Sequence, residues 1–144
     1  MKSAFSQIWD EDELVVSMDA MLIWKPWWLN ERWRPKTEGL HLDQNPFHKR
    51  DLCSVQGMVI LFPVTEAVGG LEVVPRSHLE ASKDAYRERY PKMKNGGDWC
   101  VLEKKDPLQG TGKLLLAEPG DLIIWDSRTV HGGVVGPGEA VEGA

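Results

Sequence analysis

Apolar residues occur along this chain in short runs, punctuated by glycine, proline and polar turns. Leu14 to Trp24 is apolar but interrupted by Ser17 and Asp19, which predicts a strand; Pro26 and Pro35 then keep the next segment irregular. Residues 37 to 54 read as a loop running into a strand. Val55 to Val64 is nearly continuous in apolar character, the signature of a strand buried on both faces. Gly69-Gly70 is expected to turn the chain, with Leu71 to Val74 returning as the partner of that strand. The pattern changes at Pro75-Arg76-Ser77-His78. Ser77 and Glu80 have the spacing of a capping box for a helix from about His78 to Tyr90, with Leu79, Ser82, Tyr86 and Tyr90 on one face and Pro91 ending it. Lys92 to Lys113 is polar and contains glycine, as in a lid or an insertion loop. Leu114 to Ala117 and Leu122 to Trp125 flank Glu118-Pro119-Gly120-Asp121, whose central proline and glycine suit a type II turn, so a hairpin is expected. A last strand runs from near Thr129 towards Val135. Several short strands with one helix predict an all-β sandwich or barrel with a minor helix, not alternating βαβ units.

A chain of 144 residues with 42% hydrophobic composition supports one domain, residues 1–144, with residues 78–113 as a helix and loop insertion within it. No apolar run approaches the roughly 18 residues of a membrane span. The opening Met1-Lys2-Ser3-Ala4-Phe5 lacks the apolar centre of a secretory leader, so a cytoplasmic protein without membrane contact is expected. The net charge is −5 and the basic residues are interspersed with acidic ones, which argues against a nucleic-acid partner. The two cysteines, Cys53 and Cys100, are expected to be buried thiols and not a disulfide. Trp24, Trp27, Trp28 and Trp33, four of the seven tryptophans, precede the first candidate ligand and suit core or pocket walls.

His41-Leu42-Asp43 would place an imidazole and a carboxylate on one face of an extended segment. Alone the pair is weak, because such spacing also arises by chance on protein surfaces. His131 strengthens it. This histidine opens a late strand beside Gly132-Gly133, two residues that permit close backbone approach, and it can complete a two-histidine, one-carboxylate set. Such a triad occupies one side of an octahedral ion and leaves positions for other ligands, unlike a tetrahedral structural zinc site.

Three blocks together give a more specific pattern: His41-Leu42-Asp43-Gln44-Asn45-Pro46, Gly69-Gly70-Leu71-Glu72-Val73-Val74-Pro75-Arg76-Ser77-His78, and Gly120-Asp121 through His131-Gly132-Gly133. In this order, across residues 14 to 135, the chain resembles the phytanoyl-CoA dioxygenase-like Fe(II)- and 2-oxoglutarate-dependent oxygenases. The resemblance implies a double-stranded β-helix of jelly-roll or cupin type, with His41, Asp43 and His131 as catalytic iron ligands. It also implies 2-oxoglutarate as cosubstrate and dioxygen as oxidant. A small-molecule or acyl substrate would be hydroxylated with release of succinate and carbon dioxide. The carboxylate Asp43 favours hydroxylation over halogenation, which in related enzymes needs that position vacated for halide. Two departures stand out. Arg76 replaces the family's usual glycine, a change expected to alter the turn and not the metal. No lysine or arginine follows Arg128, whereas the family places an arginine on the last core strand to pair with the far carboxylate of 2-oxoglutarate. The expectation is therefore a partial domain lacking that strand.

The same resemblance would turn Gln56 and Met58, which alternate along one strand, towards the cosubstrate; ordinary core packing explains them equally well. Asp19 and Lys25 flank the aromatic run and are candidates for substrate or cosubstrate contact. His48 and His78 read as solvated or capping, and Arg128 as half of an ion pair. Two other functional classes remain open on the residues alone. One is a cupin-like metalloenzyme that does not use 2-oxoglutarate, and the other a non-catalytic metal-binding scaffold.

Overall fold

A computed structural model of the chain describes residues 2–17 and 20–139. It is mostly β-sheet with few helices. The strands are β1 (His41–Leu42), β2 (Val55–Val59), β3 (Gly69–Val73), β4 (Cys100–Val101), β5 (Lys113–Leu114), β6 (Leu122–Asp126) and β7 (His131–Val135). The α-helices are α1 (Lys2–Trp9) and α2 (Glu80–Arg89), and two 3-10 turns lie at Glu31–Trp33 and Pro91–Asn95. One sheet has the order β4-β1-β7-β3-β5 and the other is the pair β2-β6; every adjacent pair is antiparallel. This arrangement is compatible with a cupin-like fold.

The alternation of side chains across the larger sheet sets up its two faces. Leu42, Val74, Cys100 and Val130 point to one side, where Leu40, Leu102 and Tyr86 of α2 complete a buried cluster. Their neighbours His41, Val73, Val101 and His131 therefore point to the other side, towards β2 and β6. Helix α2 thus supports the sheet from behind and leaves the opposite face for chemistry.

Several local expectations change. The stretch from Leu14 to Trp24 forms no strand among its described residues, and Asp19 lies outside them; Val15, Val16, Met21, Leu22 and Ile23 are exposed, with no neighbouring strand to pair with. The strand within Val55 to Val64 stops at Val59 and is only half-buried, with Val59 itself 37% exposed, because its sheet has two strands and little covers its outer side. Phe5 of α1 does reach that outer side: a Cβ on Gly57 would stand 2.7 Å from its ring.

Gly69-Gly70 does not form the turn. The chain turns through Glu66, Ala67 and Val68, and both glycines lie inside β3. A Cβ on Gly69 would meet the Val134 carbonyl at 2.1 Å, so β7 fits against β3 only with glycine there. Strand β3 pairs with β7 and β5, not with β2, which instead takes β6.

Glu118-Pro119-Gly120-Asp121 does turn as expected, with Gly120 at φ +97° and the Asp121 N–H donating to the Glu118 carbonyl at 3.0 Å. The segments around it form no hairpin, however. Lys113–Leu114 pairs with β3 and Leu122–Asp126 with β2, so the turn passes the chain from one sheet to the other.

The capping box is absent too. Helix α2 starts two residues late, at Glu80, after Leu79, which offers no side-chain cap. Ser77 donates its hydroxyl to the Val74 carbonyl instead, and Glu80 pairs with Lys83 and Arg87. The polar stretch after the helix contributes Cys100–Val101, which pairs with β1, and buries Leu102 in the core.

Candidate metal centre

Strands β1 and β7 place His41 and His131 directly opposite each other, with ring centroids 4.5 Å apart. Asp43 follows one residue beyond the end of β1. Its Oδ2 lies 3.3 Å from His131 Nε2 and its Oδ1 3.8 Å from His41 Nε2. One ligand atom from each residue falls within 4.8 Å of the other two, a spacing that a single ion can bridge.

Both imidazoles are oriented in the same way. His41 Nδ1 faces the Gly39 carbonyl at 2.8 Å, and His131 Nδ1 faces the Thr129 carbonyl at 2.9 Å. A carbonyl only accepts, so each Nδ1 carries the proton, and in the neutral rings each Nε2 turns a lone pair on Asp43. Three electron-rich atoms facing one another repel unless they share a cation. The donor set therefore fits a divalent metal, and it fits the two-histidine, one-carboxylate class.

Neighbouring residues hold this geometry. Gly132 leaves room for the carbonyl that orients His41: a Cβ there would stand 2.6 Å from Gly39 O. Ser77 Oγ accepts the Val130 N–H at 2.8 Å, which fixes the residue before His131. Gln44 and Asn45 pin the loop after Asp43. Gln44 donates to the carbonyls of Lys49 and Asp51, and the wholly buried Asn45 donates to those of Met93 and Gly97 and accepts from Phe47 N–H. Asp43 itself accepts from Gln56 Nε2 at 2.7 Å. Its interaction with the adjacent His131 ring holds the Asp43 carboxyl below the usual carboxylate range; burial opposes this and the Gln56 amide reinforces it.

The structure thus brings His41, Asp43, His131 and Gln56 together. Met58 lies two residues along β2 from Gln56 and shares its face. Lys25 is exposed, with Nζ 5.4 Å above the centroid of Trp33. Arg128 grips Asp126 through Nε and Nη2, the ion pair that its position suggested. Arg76 takes φ +66°, the left-handed conformation that glycine adopts freely, so the arginine fits the turn under strain. Cys100 is buried as expected whereas Cys53 is exposed, and both are free thiols.

Three contributors escape a reading of residue types: Ser77, Trp99 and Trp125. The ring of Trp125 lies 5.4 Å from that of His131, and the ring of Trp99 lies 6.3 Å from that of His41. Register could have found Trp125, which alternates inward with Ile123, but Trp99 depends on a two-residue strand that no periodicity reveals. Among the described residues, no helix is long and apolar enough to cross a membrane.

Comparison with known proteins gives the chain a family. The chain is 30% identical over 157 aligned positions to Ava biosynthesis cluster protein O of Aspergillus versicolor, a match that covers 98% of this chain and 48% of that protein. The chain therefore spans about half the length of that curated relative. No solved structure matches it. The family model described as phytanoyl-CoA dioxygenase (PhyH) matches residues 1–134, an interval that includes His41, Asp43 and His131 and all of both sheets but Val135, and the chain belongs to that family.

Proposed function

We propose that this chain carries the metal-binding core of an Fe(II)- and 2-oxoglutarate-dependent dioxygenase that hydroxylates a small-molecule or acyl substrate on a double-stranded β-helix scaffold. The observation that carries the reading is the convergence of two Nε2 lone pairs and one carboxylate from His41, His131 and Asp43. Family membership supplies the chemical context. When bound, iron in this family supplies dioxygen activation coupled to conversion of 2-oxoglutarate into succinate and carbon dioxide.

The chain's own residues prepare the site. His41 and His131 are held in the metal-binding tautomer by backbone carbonyls, so no ring must rotate before an ion binds. Gln56 orients Asp43 by donating to Oδ2 at 2.7 Å. Trp125 lies with its ring 5.4 Å from that of His131, which is buried. The carboxylate of Asp43 occupies the third protein position and suits the site to hydroxylation.

Titration with Fe(II) under anaerobic conditions, or with Co(II), tests this reading. The unmodified chain should bind one equivalent, and His41→Ala, Asp43→Ala and His131→Ala should each lose stoichiometric binding. Unchanged affinity in all three variants would overturn the assignment. Succinate formation by the chain supplied with iron, 2-oxoglutarate, ascorbate and oxygen then separates the oxygenase from a metal protein without turnover.

A further inference from the structure

The substrate class can be narrowed from the surroundings of the triad, on the reading that the triad is the metal site. Antiparallel register places Val101 opposite His41 and Cys100 opposite Leu42. Cys100 joins the core behind the sheet, so Trp99 and Val101 lie on the face that carries His41. Trp99 precedes Cys100, and its ring lies 6.3 Å from that of His41. Trp99 is 54% exposed.

Exposure within the triad shows which side is open. The side chain of Asp43 is 27% exposed, against 14% for His41 and 5% for His131. The solvent side is therefore that of Asp43 and Trp99, and Trp125 closes the opposite side beside His131. A large aromatic ring beside the open side of the triad offers a flat surface on which an aromatic ligand can stack.

Charge argues against a coenzyme A group in the same place. The chain carries a net charge of −5, and two cations are paired with the carboxylates that neighbour Trp99 and Trp125 in sequence. Lys49 holds Asp98, the residue before Trp99, at 2.5 Å, and Arg128 holds Asp126, the residue after Trp125. Several phosphate charges would find no free cation in either pair.

We propose that the substrate presents an uncharged aromatic face, stacked on Trp99 at the open side of the triad, and does not enter as a coenzyme A thioester. The probes are 2-naphthol and free coenzyme A, added to the full chain loaded with Co(II) or with diamagnetic Zn(II). Co(II) absorption in the visible range first reports occupancy of the triad. A chain that takes up no Co(II) there would remove the proposed metal site and this inference with it.

With Co(II) bound, 2-naphthol protons should relax faster than with Zn(II), as expected for a ligand near the ion. Trp99→Leu should weaken 2-naphthol binding about fivefold, the scale of one aromatic contact. Trp99→Phe should stay within about twofold. Both variants should keep the Co(II) spectrum, because an exposed indole contributes little to the fold. Coenzyme A should neither bind nor displace the probe. The inference is overturned while the metal site stands if relaxation is the same with both metals, if Trp99→Leu binds as tightly as the unmodified chain, or if coenzyme A displaces 2-naphthol.

Discussion

Gln56 and Trp125 stand opposite each other in the β2–β6 ladder, and each buries one polar atom without a hydrogen-bond partner among the described residues: Oε1 of the glutamine and Nε1 of the tryptophan. The Gln56 side chain therefore rests on its single bond to Asp43. Gln56→Leu should lower metal affinity by about 10- to 100-fold, the usual range when a group that orients a ligand is lost. The fold should change little, since the substitution also removes an unsatisfied acceptor. Calorimetric titration with Co(II) checks it, and unchanged affinity would show that Asp43 is held by the histidines alone.

Asn45 should matter more to stability than any ligand. Its side chain is wholly buried and satisfies three backbone groups, the carbonyls of Met93 and Gly97 and the N–H of Phe47. Asn45→Ala leaves those groups unpaired in the interior and should cost about 2–3 kcal/mol. Urea unfolding would register the loss, and metal affinity should fall as well, because the same loop carries Asp43. His131→Ala should unfold at higher urea than Asn45→Ala.

Arg76 offers the opposite change. Its left-handed φ strains any residue with a Cβ, so Arg76→Gly should stabilise the chain by about 0.5–1 kcal/mol. A higher urea midpoint with an unchanged slope would support this. A lower midpoint would mean that the arginine side chain makes contacts worth more than the strain.

Glu72 supplies a pH dependence with a definite sign. Burial alone raises its carboxyl above the ordinary glutamate value in the folded state. Stability from this group is fully present below the unfolded-state pKa, near 4.5, and is lost as pH rises through the higher folded value. Glu72→Gln, which mimics the neutral form, should therefore raise Tm at pH 7 by an amount worth less than about 1 kcal/mol, the group being only partly buried. The difference should shrink towards pH 4.5. A gap that stayed constant between those pH values would point to packing and not to charge.

The convergence of His41, Asp43 and His131 was legible in the sequence because the types of side chain able to share a cation are few, and the structure puts their donor atoms within 4.8 Å of one another. The mostly β architecture was legible as well, from runs such as Val55 to Val64, of which Val55–Val59 forms a strand, and Leu122 to Trp125. Pairing was not. Nothing local distinguishes Leu71 as a partner of Gly133 from Leu71 as a partner of a strand near Met58, because both satisfy the same alternation. Leu14 to Trp24 shows the limit of hydrophobicity as a signal: an apolar run becomes a strand only where an edge accepts it, and the described part of this run has none. Ser77 was assigned to a helix cap by its spacing from Glu80, yet its hydroxyl serves the backbone just before His131, a contact across 53 positions.

The two-residue strand β1 is gripped on one side by β7 and on the other by β4, and its pairing with His131 spans 90 positions (131 − 41). Such pairing is entropically late in folding, since a long loop must close before it is rewarded. During synthesis at roughly 5–20 residues per second, His41 and Asp43 emerge several seconds ahead of the histidine that completes their set. On the proposed metal reading, an ion offered to the nascent chain meets only two of its three ligands in that interval. Firm uptake of metal should therefore mark the moment when β7 docks against β1, so that a spectroscopically visible ion such as Co(II) would time the closure of the domain.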